Sequence, residues 1–198
     1  MSVGFFMTIK ESFAAGYEKD AQEYVKSIND VLRAEELPEY NEPKNVPDVY
    51  NDALFGRSEL DHHGAQCLHD IGEMGIKNGN DQCLKLISWN PYRVAFLPSD
   101  FGYSYRTDFV TQIWDEDVEL NFGSAHQLIR ELIDIAPELK IEIKNSDLTK
   151  EQIILIGDMK TFESDEENYF TDLRSAWFVL FEGARLAIEQ KVALSLAG

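Results

Sequence analysis

Residues 164–196, SDEENYFTDLRSAWFVLFEGARLAIEQKVALSL, carry the strongest structural pattern in the chain. Ser164 followed three residues later by Glu167 is a capping box, and acidic side chains there favour the positive end of a helix dipole. Beyond them the apolar residues recur at the three- and four-residue spacing of one helical face. We therefore predict one long helix to about Leu196, whose apolar face is the packing centre of the molecule. That face comprises Phe170, Leu173, Trp177, Leu180, Phe181, Ala184, Ile188 and Val192.

The opposite side of this helix is polar but carries a second apolar stripe, which has two interpretations. It packs against another element of the same chain, which we favour, or it is the interface of a homodimer formed through the C-terminal helix. The stripe comprises Val179, Gly183, Leu186 and Ala193.

The N-terminal half contains a predicted strand and two predicted helices. Residues 3–9 have the apolar content of a strand, and the apolar spacing over 13–36 is typical of an amphipathic helix. A histidine-rich segment after residue 58 predicts a second helix, whose end we place at Gly72 and Gly75 because glycine commonly terminates helices.

The middle of the chain is predicted to supply most of the sheet. Residues 83–89 and 92–97 predict two strands, a third is expected near 109–114, and the remainder up to residue 123 is predicted as loop. Ser124 is a good helix cap and predicts a helix over 125–135. Residues 149–159 are ambiguous between helix and strand, and we favour the helix.

Together these elements predict an α+β fold, a predominantly helical single domain over residues 1–198 with a small sheet packed against the long C-terminal helix. The length allows a sizeable core, and 44% hydrophobic residues exclude a chain that is disordered throughout. A doubly wound α/β fold is disfavoured, because strands and helices alternate irregularly and no glycine-rich phosphate loop is present.

The composition also predicts a compartment. No run approaches the roughly 20 apolar residues of a membrane span, and the apolar start lacks the basic region of a signal peptide. The two cysteines, Cys67 and Cys83, are too few for a disulfide scaffold. We therefore expect a soluble cytoplasmic protein with reduced thiols and no membrane partner.

The charge is lopsided, with 36 acidic and 18 basic side chains and a net charge of −18. Such a surface repels phosphate backbones, so we expect no nucleic-acid binding, whereas a basic protein partner would be attracted. The function we favour is a non-enzymatic interaction module of inhibitor or immunity type. Its predicted docking surface is the acidic run Asp115, Glu116, Asp117 and Glu119, acting alongside Glu35, Glu36, Glu39 and Glu42.

Three of the four histidines lie in the predicted second helix, together with one cysteine and several carboxylates. On a helical wheel His62 and His69 fall on the solvent side, whereas His63, Cys67 and Asp70 share a flank at i, i+4 and i+7 spacing. Imidazole, thiolate and carboxylate are ligands of zinc. The alternative function is therefore a metal-dependent enzyme with a divalent metal, zinc, at these three residues.

The spacing of that trio matches no zinc signature, and a solvated polar helix face with a buried thiol explains the same residues. Motifs for nucleophilic catalysis, such as G-x-S-x-G, are missing from the sequence. The sequence therefore leaves open whether the protein is an enzyme.

Overall fold

The structure is a computed structural model that describes residues 3–13, 15–43, 59–60, 62–110, 117–144, 147–148 and 166–198. Within these ranges it contains both helices and a sheet, which confirms the α+β class. The helices are α1 Glu18–Ala34, α2 His62–Lys77, α3 Cys83–Trp89, α4 Ala125–Ile135 and α5 Glu166–Gln190. The strands are β1 Val3–Phe6, β2 Glu59–Leu60, β3 Arg93–Leu97, β4 Tyr105–Val110, β5 Asp117–Ser124, β6 Ile143–Lys144, β7 Asp147–Leu148 and β8 Leu194–Ala197.

Six of these strands form one mixed sheet in the order β2-β1-β8-β3-β5-β4. Strands β3 and β5 run parallel, and the other neighbouring pairs in this sheet are antiparallel. The pairing of β1 with β8 brings Gly4 opposite Ala197, so the two ends of the described chain meet in the sheet. Strands β6 and β7 form a separate two-stranded ribbon.

The sheet separates two apolar clusters, because successive side chains of a strand point to opposite faces. Val94 and Phe96 of β3 belong to a large cluster that they share with α2, α3, α4 and α5. Ala95 and Leu97 belong to a smaller cluster with α1. Helix α1 therefore covers one face of the sheet and the other four described helices cover the opposite face. None of the described helices is long and apolar enough to cross a lipid bilayer.

Helix α5 supplies much of the larger cluster, as its apolar face predicts. Trp177 is completely buried, stacks on Phe181 with ring centroids 4.9 Å apart, and donates its indole N–H to the Leu132 carbonyl at 2.9 Å. The second stripe is also covered within the chain, since Val179 and Leu186 are buried. This supports packing within one chain, and the homodimer stays an untested prediction.

The C-terminal end of α5 differs from the prediction. The helix stops at Gln190, and residues 194–197 form β8 in the middle of the sheet. Lys191 adopts the left-handed conformation (φ 58°), and Val192 N–H donates to Ala187 O at 3.0 Å, which closes a Schellman-type end. The left-handed residue after a helix is usually glycine. Because Lys191 occupies this position, the sequence does not indicate where the helix ends. Ser164 and residues 149–159 lie outside the described residues.

The prediction of a strand over residues 83–89 is wrong, because this segment is helix α3. The buried Glu131 of α4 accepts hydrogen bonds from the backbone N–H groups of Cys83 (3.2 Å) and Leu84 (2.8 Å). These donors have no partner inside a helix, so a carboxylate from a distant element caps α3. The apolar run alone fits a strand or a buried helix, and the deciding carboxylate lies 47 residues beyond Leu84.

The outer hairpin of the sheet is also more regular than predicted. Strand β4 spans Tyr105–Val110 rather than 109–114, of which residues 111–114 are not described. Strand β5 occupies Asp117–Ser124, where loop was predicted. This segment has no clear strand pattern in its sequence, but it forms hydrogen-bonded ladders with both β3 and β4. The predicted helix over 125–135 is confirmed, with the Ser124 hydroxyl accepting from the Gln127 N–H at 3.3 Å.

Gly72 and Gly75 do not end α2, which continues to Lys77. They lie instead where α2 crosses α3 at short distance. A Cβ atom on Gly72 would stand 2.5 Å from the Ser88 nitrogen and 2.7 Å from the Leu84 carbonyl oxygen. Backbone atoms of a packed helix cannot turn aside as a side chain can, so the glycine allows this close approach.

Replacing Gly72 with alanine is expected to lower the free energy of unfolding by about 1–3 kcal/mol, because α2 and α3 must separate to admit the methyl group. The measurement is chemical denaturation at equilibrium. Gly102→Ala is the matched control, since a Cβ there meets no heavy atom within 4 Å. A Gly72→Ala protein as stable as the control protein would show that the two helices are not in close contact.

Candidate functional site

The three predicted zinc ligands have different contacts in the structure. Cys67 is completely buried in the large apolar cluster. The His63 Nε2 atom lies 2.8 Å from Asp172 Oδ2 of α5. Asp70 accepts hydrogen bonds from the Gln66 side-chain amide at 2.9 Å and from the Tyr169 hydroxyl. His63 and Asp70 thus both contact the first turns of α5, and the ring centroids of His63 and Tyr169 lie 6.4 Å apart.

These contacts join α2 to the start of α5. Partial burial and the hydrogen bond to Asp70 raise the pKa of Tyr169, so the phenol keeps the proton that it donates. In the described part of the chain, no group of three or more histidine, cysteine, aspartate or glutamate side chains is arranged to hold a metal ion. Zinc at His63, Cys67 and Asp70 stays an untested prediction, for which the zinc content of the purified protein and of a His63→Ala variant is the measurement.

The acidic run begins outside the described residues and continues into the sheet. Asp115 and Glu116 are not described, whereas Asp117 and Glu119 belong to β5, opposite Val110 and Asp108 of β4. The register therefore sets Asp108 directly across the ladder from Glu119, an arrangement that destabilises a strand pair when both positions carry the same charge. Asp108, Asp117 and Glu119 are thus three acidic positions on the paired strands of this hairpin.

A second acidic group follows α1. Glu35, Glu36 and Glu39 are exposed, and Glu42 is half-buried with its carboxylate accepting from the Lys10 N–H at 3.2 Å. Burial raises the pKa of Glu42. Glu35 and Glu36 make no ion pair with any residue of the described structure, whereas Glu39 pairs with an arginine of α1 at 3.0 Å.

The two acidic groups lie towards opposite ends of the outer hairpin. The pKa of Tyr105 is raised, first by burial and second by the negative charge of Glu35. Glu35 therefore lies close to the start of β4. Asp117 is opposite Val110 at the other end of that strand. Val110 is five residue steps along the strand from Tyr105, which corresponds to a length of about 17 Å. The predicted docking residues are therefore two groups along one sheet edge rather than one cluster.

Many basic side chains of the described chain are already engaged in local pairs. Arg33 lies 2.9 Å from Asp30, Arg130 lies 2.8 Å from Asp100, and Arg185 lies 2.8 Å from Glu182. The hydrogen bond from Arg130 lowers the pKa of Asp100, so this carboxylate stays ionised. With twice as many acidic as basic residues in the sequence, the charge left unpaired at the surface is negative.

A cleft of about 310 Å³ between α2 and the end of α3 is a feature that sequence analysis missed. His69 is half-buried there rather than facing solvent, with Nδ1 2.8 Å from the Ser88 carbonyl oxygen. Trp89 is 53% exposed, and the Lys85 ammonium lies 4.8 Å from its ring centroid. The i, i+4 and i+7 spacing of His62, Gln66 and His69 indicates that they share one face of α2. The opposite wall of the cleft includes residues of α3, which was predicted as a strand. The lining residues are His62, Ala65, Gln66, His69, Ser88, Trp89, Pro91 and Tyr92.

Comparison with known proteins identifies one family. A family model described as "Putative DNA-mimic protein" matches residues 60–196, which is more than half of the chain. No curated protein and no solved structure matches the chain. The match includes the His-bearing helix α2, the β4–β5 hairpin and helix α5, and it leaves out α1 and the acidic segment that follows it.

Proposed function

The chain belongs to the family described as "Putative DNA-mimic protein", and from this membership we propose that it binds a DNA-binding protein at the surface which otherwise holds DNA. The observation that carries the proposal is the family match combined with a net charge of −18. A duplex presents one negative charge per about 1.7 Å of its axis, so a densely acidic protein competes for the same basic surface. We therefore propose that the predicted basic partner is a DNA-binding protein.

The acidic positions along the outer hairpin support this proposal. The distance of about 17 Å along β4 corresponds to about five base-pair steps at 3.4 Å each. The strand register places the acidic positions Asp108 and Glu119 opposite each other on this hairpin, which adds to the acidic character of the edge. We propose that this edge, from Glu35 to Asp117, faces the basic surface of the partner.

The test is competition with DNA. The full chain is immobilised, a protein that it retains from a cell extract is purified, and a labelled duplex bound to that protein is titrated with the chain. We expect the duplex to be displaced and excess duplex to release the chain. A ternary complex of chain, partner and duplex would overturn the proposal, since mimicry requires that the two ligands exclude each other.

We expect neutralisation of Asp115, Glu116, Asp117 and Glu119 (Asp→Asn and Glu→Gln) to slow association with that partner about tenfold or more at low salt, because electrostatic steering raises association rates by about 10- to 1,000-fold. For the unaltered chain, the rate should fall steeply between low and physiological ionic strength. Stopped-flow or surface plasmon resonance measurements give both quantities.

The matched control removes the same number of charges elsewhere. Asp81, Asp134, Glu138 and Glu142 are exposed residues that belong to neither strand of the hairpin, and their neutralisation changes the net charge equally. If both variants slow association equally, total charge and not the hairpin edge attracts the partner. A salt-insensitive association rate would contradict electrostatic docking altogether.

A further inference from the structure

We propose that the cleft between α2 and α3 binds an arginine side chain of the basic protein partner. This inference rests on the proposed function for the identity of the partner, but the chemistry of the cleft is argued from its own atoms. The cleft combines hydrogen-bond acceptors to which no described residue donates with an exposed aromatic ring, within a strongly acidic chain.

His69 contributes one acceptor. A carbonyl oxygen can only accept, so the contact of Nδ1 with the Ser88 carbonyl places the proton of the neutral ring on Nδ1. Nε2 is then an acceptor, and no described residue donates to it. Because Nδ1 is held to the end of α3, the ring is fixed in orientation at the wall of the cleft.

Gln66 contributes the second acceptor. Its Nε2 donates to Asp70 Oδ1 at 2.9 Å, which orients the amide and leaves Oε1 as an acceptor without a donor among the described residues. Residues three apart on a helix are neighbours on its surface, so Gln66 and His69 both belong to the wall that α2 contributes to the cleft. Two acceptors on one wall suit a planar group that carries several N–H donors.

Trp89 provides the surface on which such a group can stack. It is 53% exposed beside Pro91 and Tyr92 in the cleft, an unusual position for the largest apolar side chain. The Lys85 ammonium already lies 4.8 Å from the ring centroid, so this ring attracts cations within the chain itself. A guanidinium of the partner would compete with Lys85 for the ring.

Arginine fits these features better than the other cations do. Its guanidinium is planar, carries five N–H donors and stacks on aromatic rings, whereas the lysine ammonium is a compact point charge. A single metal ion shared by the cleft histidines is excluded, because His62 and His69 are two helical turns apart, about 10 Å along the axis. DNA-binding surfaces carry arginine for contacts to phosphates and guanine, so a DNA-binding partner supplies this side chain.

The first experiment uses small probes on the full chain and follows the indole N–H resonance of Trp89 by NMR. N-acetylarginine amide is titrated in parallel with the lysine amide and the neutral citrulline amide. We expect saturable shifts with the arginine probe, and weaker binding of the other two. Equal binding of lysine would overturn the guanidinium assignment, equal binding of citrulline would overturn the need for charge, and no saturable shift with arginine would overturn the site.

Variants test the individual contacts. Trp89→Ala is expected to weaken binding of the arginine probe about threefold to thirtyfold, from the range of cation–π interactions; for this variant the backbone resonances of α2 report binding. Gln66→Met, which keeps the length but removes the acceptor, should weaken it, and Lys85→Met should strengthen it by removing the competing cation. Tyr103→Ala is the control, since Tyr103 is 67% exposed and does not line the cleft. Denaturation curves verify that each variant is folded.

The same variants then separate this inference from the proposed function. With the purified partner, Trp89→Ala should increase the dissociation rate about threefold to thirtyfold, and Tyr103→Ala should leave it unchanged. Saturable arginine binding together with a ternary complex of chain, partner and duplex would reject DNA mimicry but retain the cleft. Displacement of duplex by the chain with no effect of Trp89→Ala on partner binding would retain mimicry and overturn the arginine site.

Discussion

Replacing Trp177 with alanine is expected to lower the free energy of unfolding by about 3–5 kcal/mol, the range for removal of a large buried aromatic side chain. Trp177 is completely buried, stacks on Phe181 and donates to the Leu132 carbonyl at 2.9 Å. That carbonyl is among the last four of α4, which lack partners within the helix. The substitution therefore removes apolar contact, opens a cavity and leaves a polar atom unsatisfied.

The loss is large beside the total stability of about 5–15 kcal/mol for a typical domain. Equilibrium denaturation, followed by circular dichroism, measures it. Trp177→Phe separates the contributions, because it keeps a ring against Phe181 but removes the indole N–H; we expect it to cost about 1–3 kcal/mol for the unpaired carbonyl, plus the smaller ring. If the alanine and phenylalanine variants were equally stable, α5 would not be the packing centre.

Replacing Glu131 with alanine is expected to lower the free energy of unfolding by about 2–4 kcal/mol, because two backbone donors lose a charged acceptor in a buried setting. Glu131 is 1% exposed, and its carboxylate accepts from the N–H groups of Cys83 and Leu84 and from the Gln127 side chain. Gln82, at the N-cap of α3, makes no capping hydrogen bond with its own side chain. Within the described structure, the Glu131 carboxylate therefore caps the N-terminus of α3.

The same substitution should disturb the cleft, since α3 ends in Ser88 and Trp89. Glu131→Gln retains one acceptor oxygen and should cost less than Glu131→Ala, while Asp134→Ala, which removes an exposed carboxylate of the same helix, should change stability little. Denaturation gives the stability, and the Trp89 indole resonance reports the cleft. A stable Glu131→Ala protein with an unchanged Trp89 environment would show that α3 begins without this cap.

Sequence analysis was most successful where one helix buries one face. The apolar spacing of α5 predicted its core face, and Ser124 predicted the start of α4, because capping and periodicity are local properties. It failed where a helix ends without glycine. Lys191 adopts the left-handed conformation that lets the chain turn into β8, and no local signal marks a lysine for that geometry.

The candidate sites divide in the same way. The excess of acidic residues is visible in the composition, and the acidic run is visible in the sequence, so both lead to the expectation of a basic partner without any structure. The placement of Asp117 opposite Val110 and of Glu35 near Tyr105 depends on strand pairing and on packing of α1 over the sheet. The cleft was not predictable, because its second wall is a helix that Glu131 caps from a distant position.

The α+β class, the buried face of the C-terminal helix and the sign and size of the net charge can all be predicted from the amino-acid sequence. These follow from composition and from periodicity within one element, which need no knowledge of neighbours. Three further features depend on the folded structure: residues 83–89 are a helix, residues 194–197 form a central strand, and His69 and Trp89 line one cleft. Each of these features depends on hydrogen bonds or packing between residues far apart in the chain, which the local sequence pattern does not contain.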